Sequence, residues 1–162
     1  MQELYLQGVP ILAAINYDTV GGRRGIPQSV RLFASDLNTS PSGELGRYYD
    51  LISGLYVPTF PVTVINAIDR QGRWGDQREF VQANVRAVRV TESEEDPDLL
   101  NSVKDSWDLI DYDYLRQVTQ VNVATIANAI GAPAMPPAPV ITAMEEAGSY
   151  VLNWQPDPTA AG

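Results

Sequence analysis

Four prolines fall within residues 131–139 (Gly-Ala-Pro-Ala-Met-Pro-Pro-Ala-Pro), a composition that favours an extended, semi-rigid chain. This run divides the 162 residues into a long section able to bury a core and a short tail. The tail has room for two strands, 140–143 and 150–154, joined by a turn over 145–149. Two strands alone do not bury a core.

Upstream of the linker the hydrophobic period changes once. Residues 1–90 read as short apolar or alternating runs separated by turn chemistry: 9–17, 29–35, 48–52, 62–68 and 80–91. Gly21, Gly22 and Gly25 mark one loop, and 36–46, rich in Asn, Thr, Ser, Pro and Gly, marks another. From Asp96 the spacing becomes helical. Asp96 with Pro97 suits a helix start, and Leu99, Val103, Trp107 and Ile110 share one face. A second helix is expected over 113–130, with Leu115, Val118, Val121, Ile126 and Ile130 inward and Gly131 and Pro133 as the stop. The expected organisation is a β-sandwich-like domain at 1–92, a helical hairpin connector at 93–131, a linker at 132–139 and incomplete strands at 140–162.

Composition narrows the chemistry. There is no histidine and no cysteine. Ser-His-Asp and Cys-His nucleophiles, His- or Cys-built zinc sites, haem on those ligands and Cys-held iron-sulfur clusters are therefore not available within this sequence. Lys104 is the single lysine, so Schiff-base or Ser-Lys chemistry would depend on it alone. These absences point to a non-enzymatic chain with no catalytic residue, no metal ligand set and no cofactor.

The net charge is -9. Nine acids against Lys104 between Thr91 and Tyr114 make that stretch -8, leaving -1 for the remainder. Such a chain repels a phosphate backbone, so nucleic acid is not an expected partner. No run approaches the ~18 apolar residues of a membrane span, and the first residues lack the layout of a signal peptide, so membrane insertion is not expected.

The segments Pro136-Pro137-Ala138-Pro139-Val140-Ile141-Thr142-Ala143 and Gly148-Ser149-Tyr150-Val151-Leu152-Asn153-Trp154-Gln155-Pro156 resemble the opening strands of a fibronectin type III domain. Gly54, Leu55, Thr59, Ala67, Asp69 and Gly72 are similar to that family's later strands, with Phe60 or Pro61 where its corner tyrosine belongs. The resemblance implies a mainly β fold: a fibronectin III or immunoglobulin-like sandwich, a helical connector and an incomplete second sandwich. Sandwiches alternating with short helical connectors are similar to the structural proteins of phage tails. The function implied is a structural or assembly subunit of a virion, assembled in the host cytoplasm, with copies of itself, other structural subunits and a host-surface glycan or receptor as partners. The alternative is an accessory carbohydrate-binding module of a secreted glycosidase.

Gly21-Gly22-Arg23-Arg24-Gly25 could cradle an anion, but lacks the Lys-Ser/Thr ending of a phosphate loop and reads as a hairpin. Glu94-Glu95-Asp96-Pro97-Asp98 and Asp111-Tyr112-Asp113 could ligate calcium, yet capping explains them without a metal. Trp107 and Trp154 fall on expected core positions. Trp74 lies on a turn beside Arg70, Arg73 and Arg78, the composition of an interface hot spot. The expected interface sets Trp74, Arg70, Arg73 and Arg78 against Glu94, Glu95, Asp96 and Asp98 of a neighbouring copy, with Trp154 contributing through the tail.

Overall fold

The computed structural model describes residues 7–131, 140–143 and 149–153. Its elements in chain order are β1 (Ala14–Tyr17), β2 (Val30–Ala34), α1 (Pro41–Tyr56), β3 (Val62–Asn66), α2 (Gln77–Gln82), β4 (Ala87–Glu92), a 3-10 turn (Trp107–Leu109), α3 (Tyr112–Gly131), β5 (Val140–Ala143) and β6 (Tyr150–Asn153). The chain divides into two compact units, Met1–Ile126 and Ala127–Gly162.

The first unit is built on one four-stranded sheet of order β1-β4-β2-β3. β1 runs parallel to β4 and β2 parallel to β3, while β2 and β4 are antiparallel. Period-two alternation then sorts the side chains. Val30, Leu32 and Ala34 of β2 lie on the same face as Val88 and Val90 of β4, and these join Leu45, Tyr49, Phe60, Tyr114, Val118 and Val121 in the core. The Phe60 and Tyr114 rings meet edge to face at 5.4 Å. All six residues of β4 are buried, because the segment carrying α2 covers the sheet's other face.

This mixed α/β arrangement replaces the expected mainly β sandwich. The decisive element is α1, where the residues suggested a loop followed by a short strand. Ser40 caps it, accepting from the Gly43 N–H at 2.9 Å, and Pro41 occupies its first turn. Leu45, Tyr49 and Ile52 form its buried stripe. The glycines that read as loop chemistry allow close packing instead. A Cβ on Gly46 would lie 2.7 Å from the Ala34 Cβ, so only glycine lets the helix approach β2 this closely.

The expected helical hairpin over 96–130 is half absent. Asp96 accepts from the Asp98 N–H, but Asn101 adopts a left-handed conformation at φ 56° and only the 3-10 turn at Trp107–Leu109 follows. Val103 is fully exposed and Trp107 is 75% exposed, so the centre of that stripe is open, while Leu99 and Ile110 at its ends are half-buried. α3 does form, with Asp111 accepting from the N–H groups of Asp113 and Tyr114. Its buried face is Tyr114, Val118, Val121 and Thr125, rotated from expectation, and Ile126 and Ile130 are exposed.

In the second unit β5 and β6 pair antiparallel with each other, Val140 opposite Asn153 and Ala143 opposite Tyr150. Trp154 and the linker at 132–139 lie outside the described residues.

Candidate functional site: an arginine-centred acidic cluster

On the sheet face opposite the apolar core, β1 and β4 place Asn16 beside Arg89 in register. The Arg89 side chain is 1% exposed. Its guanidinium NH2 lies 3.0 Å from Asp18 Oδ2 and its NH1 lies 3.4 Å from Asp69 Oδ2. Glu95 Oε1 stands 3.9 Å from NH2. Asp18 follows β1 directly, Glu95 lies just beyond β4, and Asp69 begins the turn before α2, so three chain segments converge on one guanidinium.

The turn at 69–75 closes around Asp69. Its carboxylate accepts from the backbone N–H of Arg70 at 2.7 Å and of Gly75 at 2.6 Å, and from Gln77 Nε2 at 2.7 Å. Gln77 also donates to the Ile68 carbonyl and accepts from Asn16, fixing its amide against β1. Burial alone would raise the Asp69 carboxyl, but the Gln77, Arg70 and Gly75 hydrogen bonds and the Arg89 charge bring it below the ordinary range. Glu95 follows the same pattern. Burial opposes its ionisation, yet Arg70, Thr91 and Arg31 lower it overall. Its Oε2 accepts from Arg31 at 2.9 Å and its Oε1 from Thr91 at 3.1 Å and from Arg70.

Glu92, at the end of β4, behaves oppositely. Burial and the neighbouring Glu95 raise its carboxyl, only partly offset by the Gly22 N–H at 2.8 Å and by Arg31 and Arg23. That Gly22 N–H, a candidate anion donor by sequence, is thus directed at the chain's own Glu92. Arg23 pairs with Asp96, and Arg24 donates its N–H to the Leu109 carbonyl, so the glycine loop is tied down internally.

Within the single chain, the residues expected at an interface have the following surroundings. Arg70, whose side chain is 15% exposed, pairs with Asp69 and Glu95 of its own chain. Asp96 pairs with Arg23. Trp74 is 54% exposed with the Arg78 guanidinium 5.1 Å from its ring centroid. Arg73, Glu94 and Asp98 are exposed. Of the residues that build the cluster, Asp69 entered only through the fibronectin-like spacing, and Asn16, Asp18, Arg31, Gln77 and Arg89 belong to no motif in the sequence. The available signal was one charge, Arg89, in a strand otherwise flanked by Val88 and Val90.

No protein-family model matches the chain. A fungal protein from Pyricularia oryzae, named a probable zinc metalloprotease, is 35% identical over 107 residues, covering 59% of this chain and 21% of its own length. A Pyrenophora tritici-repentis protein of the same name is 32% identical over 115 residues, covering 65% of this chain and 24% of its own. The chain thus spans about a fifth to a quarter of these relatives. Among solved structures, BSAP, a zinc aminopeptidase from Bacillus subtilis, superposes with a TM-score of 0.57 at 16% identity, over 72% of this chain and 28% of that one. These findings overturn the expected resemblance to fibronectin-like phage tail proteins and with it the non-enzymatic structural role, the carbohydrate-binding alternative and the virion location. In this α/β fold, buried strands and a glycine-bearing helix imitate the short-strand pattern of a sandwich.

Proposed function

We propose that this chain is part of a zinc-metallopeptidase-like protein, in which its sheet and helices serve as framework for peptide-bond hydrolysis. The observation that carries the reading is the 35% identity over 107 residues with the Pyricularia protein; the α/β likeness to BSAP agrees with it in fold.

The residues described here do not fit a zinc ion. Zinc in enzymes takes imidazole nitrogen, thiolate sulfur and carboxylate oxygen, and this sequence contains no histidine or cysteine. Among the described residues no three of His, Cys, Asp and Glu are grouped to hold a metal. The buried atoms without a hydrogen bond at the cluster's centre are Nε and NH2 of Arg89, the latter ion-paired with Asp18; both are N–H donors and offer a cation no lone pair. No hydrolytic step is assigned to these side chains. Their role in this reading is to hold the ends of β1 and β4 and the 69–75 turn in one arrangement.

The test is hydrolysis by the native gene product that carries this sequence, assayed on aminoacyl nitroanilides and on internally quenched peptides, with and without a zinc chelator. Chelator-sensitive release of product is the expected result. A zinc-supplemented, folded protein inactive on both substrate types would overturn the reading.

A further inference from the structure

We infer that the carboxylates converging on Arg89 are committed to guanidinium partners, and that this chain holds no zinc ion through them. Three acids, Asp18, Asp69 and Glu95, meet three arginines, Arg31, Arg70 and Arg89, so the formal charges of the cluster cancel. Arg89 stands at the convergence and supplies the charge that a divalent cation supplies where carboxylates meet alone.

The carboxylate oxygens of Asp69 and Glu95 are already occupied. Asp69 Oδ2 receives the Gly75 N–H, Gln77 Nε2 and Arg89 NH1, while Oδ1 receives the Arg70 N–H and its Nε. Glu95 Oε2 receives Arg31, and Oε1 receives Arg70 and Thr91. A zinc ion binding carboxylate oxygen at roughly 2 Å would have to displace these donors and settle beside fixed positive charges, where poor screening makes the repulsion strong. Space is equally short: a Cβ on Gly75 would lie 2.3 Å from Arg89 NH1 and 2.5 Å from Gln77 Oε1. Asp18, with a side chain 51% exposed, is the one acid of the three with an open side, and one carboxylate does not make a zinc site.

The inference takes its choice of ion from the zinc-metallopeptidase-like reading but is tested on different material. The 162-residue chain, freed of metal, is titrated with zinc chloride near neutral pH by calorimetry and melted with and without the ion. The expected result is no saturable isotherm and an unchanged melting temperature. A site filled at a hundredfold excess over its Kd would raise the melting temperature by roughly 5 to 10 °C for a chain of this size. A one-site isotherm with a micromolar Kd would overturn the inference, and Asp18→Asn and Asp69→Asn would then identify the ligand. Arg89→Met provides the converse. With the guanidinium removed, zinc should raise the variant's melting temperature by several degrees while leaving the parent's unchanged, and a folded variant as indifferent to zinc as the parent would remove Arg89 from the explanation. The parent titration decides the matter even where the variant does not fold. Failure here is distinguishable from failure of the functional reading, because one assay follows zinc binding by this chain and the other follows hydrolysis by the native gene product.

Discussion

The two faces of β4 are both buried and are held by opposite means. On one face Val88 and Val90 pack into an apolar core with Leu32, Leu45, Tyr49 and Val118. On the other, Arg89 and Thr91 meet Asp69, Glu95 and Asp18. Apolar burial is favourable in proportion to area and tolerates many shapes. Buried charge is favourable only when its partners are in place, since desolvation costs several kcal/mol per ion and is repaid only by good geometry. The apolar face therefore gives the sheet stability, while the ionic face ties the 69–75 turn and the Glu95 segment to a single position.

Breaking the ionic face at its centre should have the largest effect. Arg89→Met removes the guanidinium that Asp18 and the buried Asp69 share, leaving Asp69 with Arg70 alone, and should cost about 3–5 kcal/mol in denaturant unfolding. Replacing both partners, Arg89→Met with Asp69→Asn, should cost less than the sum of the two single changes. A double variant as unstable as the sum of the two would show that the loss lies in shape and not in stranded charge. On the apolar face, Leu32→Ala should cost about 3 kcal/mol, with no dependence on pH between 4 and 8.

Acid should separate the two faces. Asp69 and Glu95 have folded-state pKa values below their unfolded ones, so their contribution is present above the usual carboxylate range and is lost as pH falls through the lowered values. Asp69→Asn should flatten the acid limb of the stability profile. Glu92 has the opposite sign: its raised pKa gives stability that is full below the unfolded value and fades as pH rises through the folded one. Glu92→Gln, which keeps an acceptor for the Gly22 N–H, should raise the melting temperature near pH 7 and change it little near pH 4. The smallest effect is expected at Trp107, whose ring is 75% exposed; Trp107→Ala should change stability by no more than about half a kcal/mol.

Legibility in the sequence followed how local each cause was. β2 and β3 fall inside the runs at 29–35 and 62–68, and α3 matches the helical spacing at 113–130 to within one residue at each end, because those patterns lie within one segment. The run at 80–91 joins two elements. Its first residues complete α2 and its last form β4, with Asn84 at φ 59° turning the chain between them. The helix expected at 96–110 had both a cap and a stripe, but Val103 and Trp107 at the centre of that stripe have no surface to cover, and short helices owe most of their stability to such packing.

The sequence by itself determined the chemistry available to this chain: acidic, free of histidine and cysteine, with a proline-rich break before a pair of short strands. Those properties follow from residue identity and need no partner. Tertiary structure alone decided that Gly46 marks a helix packed against β2 and not a loop, and that Arg70 and Glu95 meet within one chain. It also decided that Arg89 gathers three acids from segments up to 77 residues apart in numbering, Asp18 to Glu95. The physical reason is that a glycine's permissiveness and a charge's sign are local facts. Which surface a glycine admits, and which opposite charge a guanidinium finds, depend on elements distant in the chain that only folding brings together.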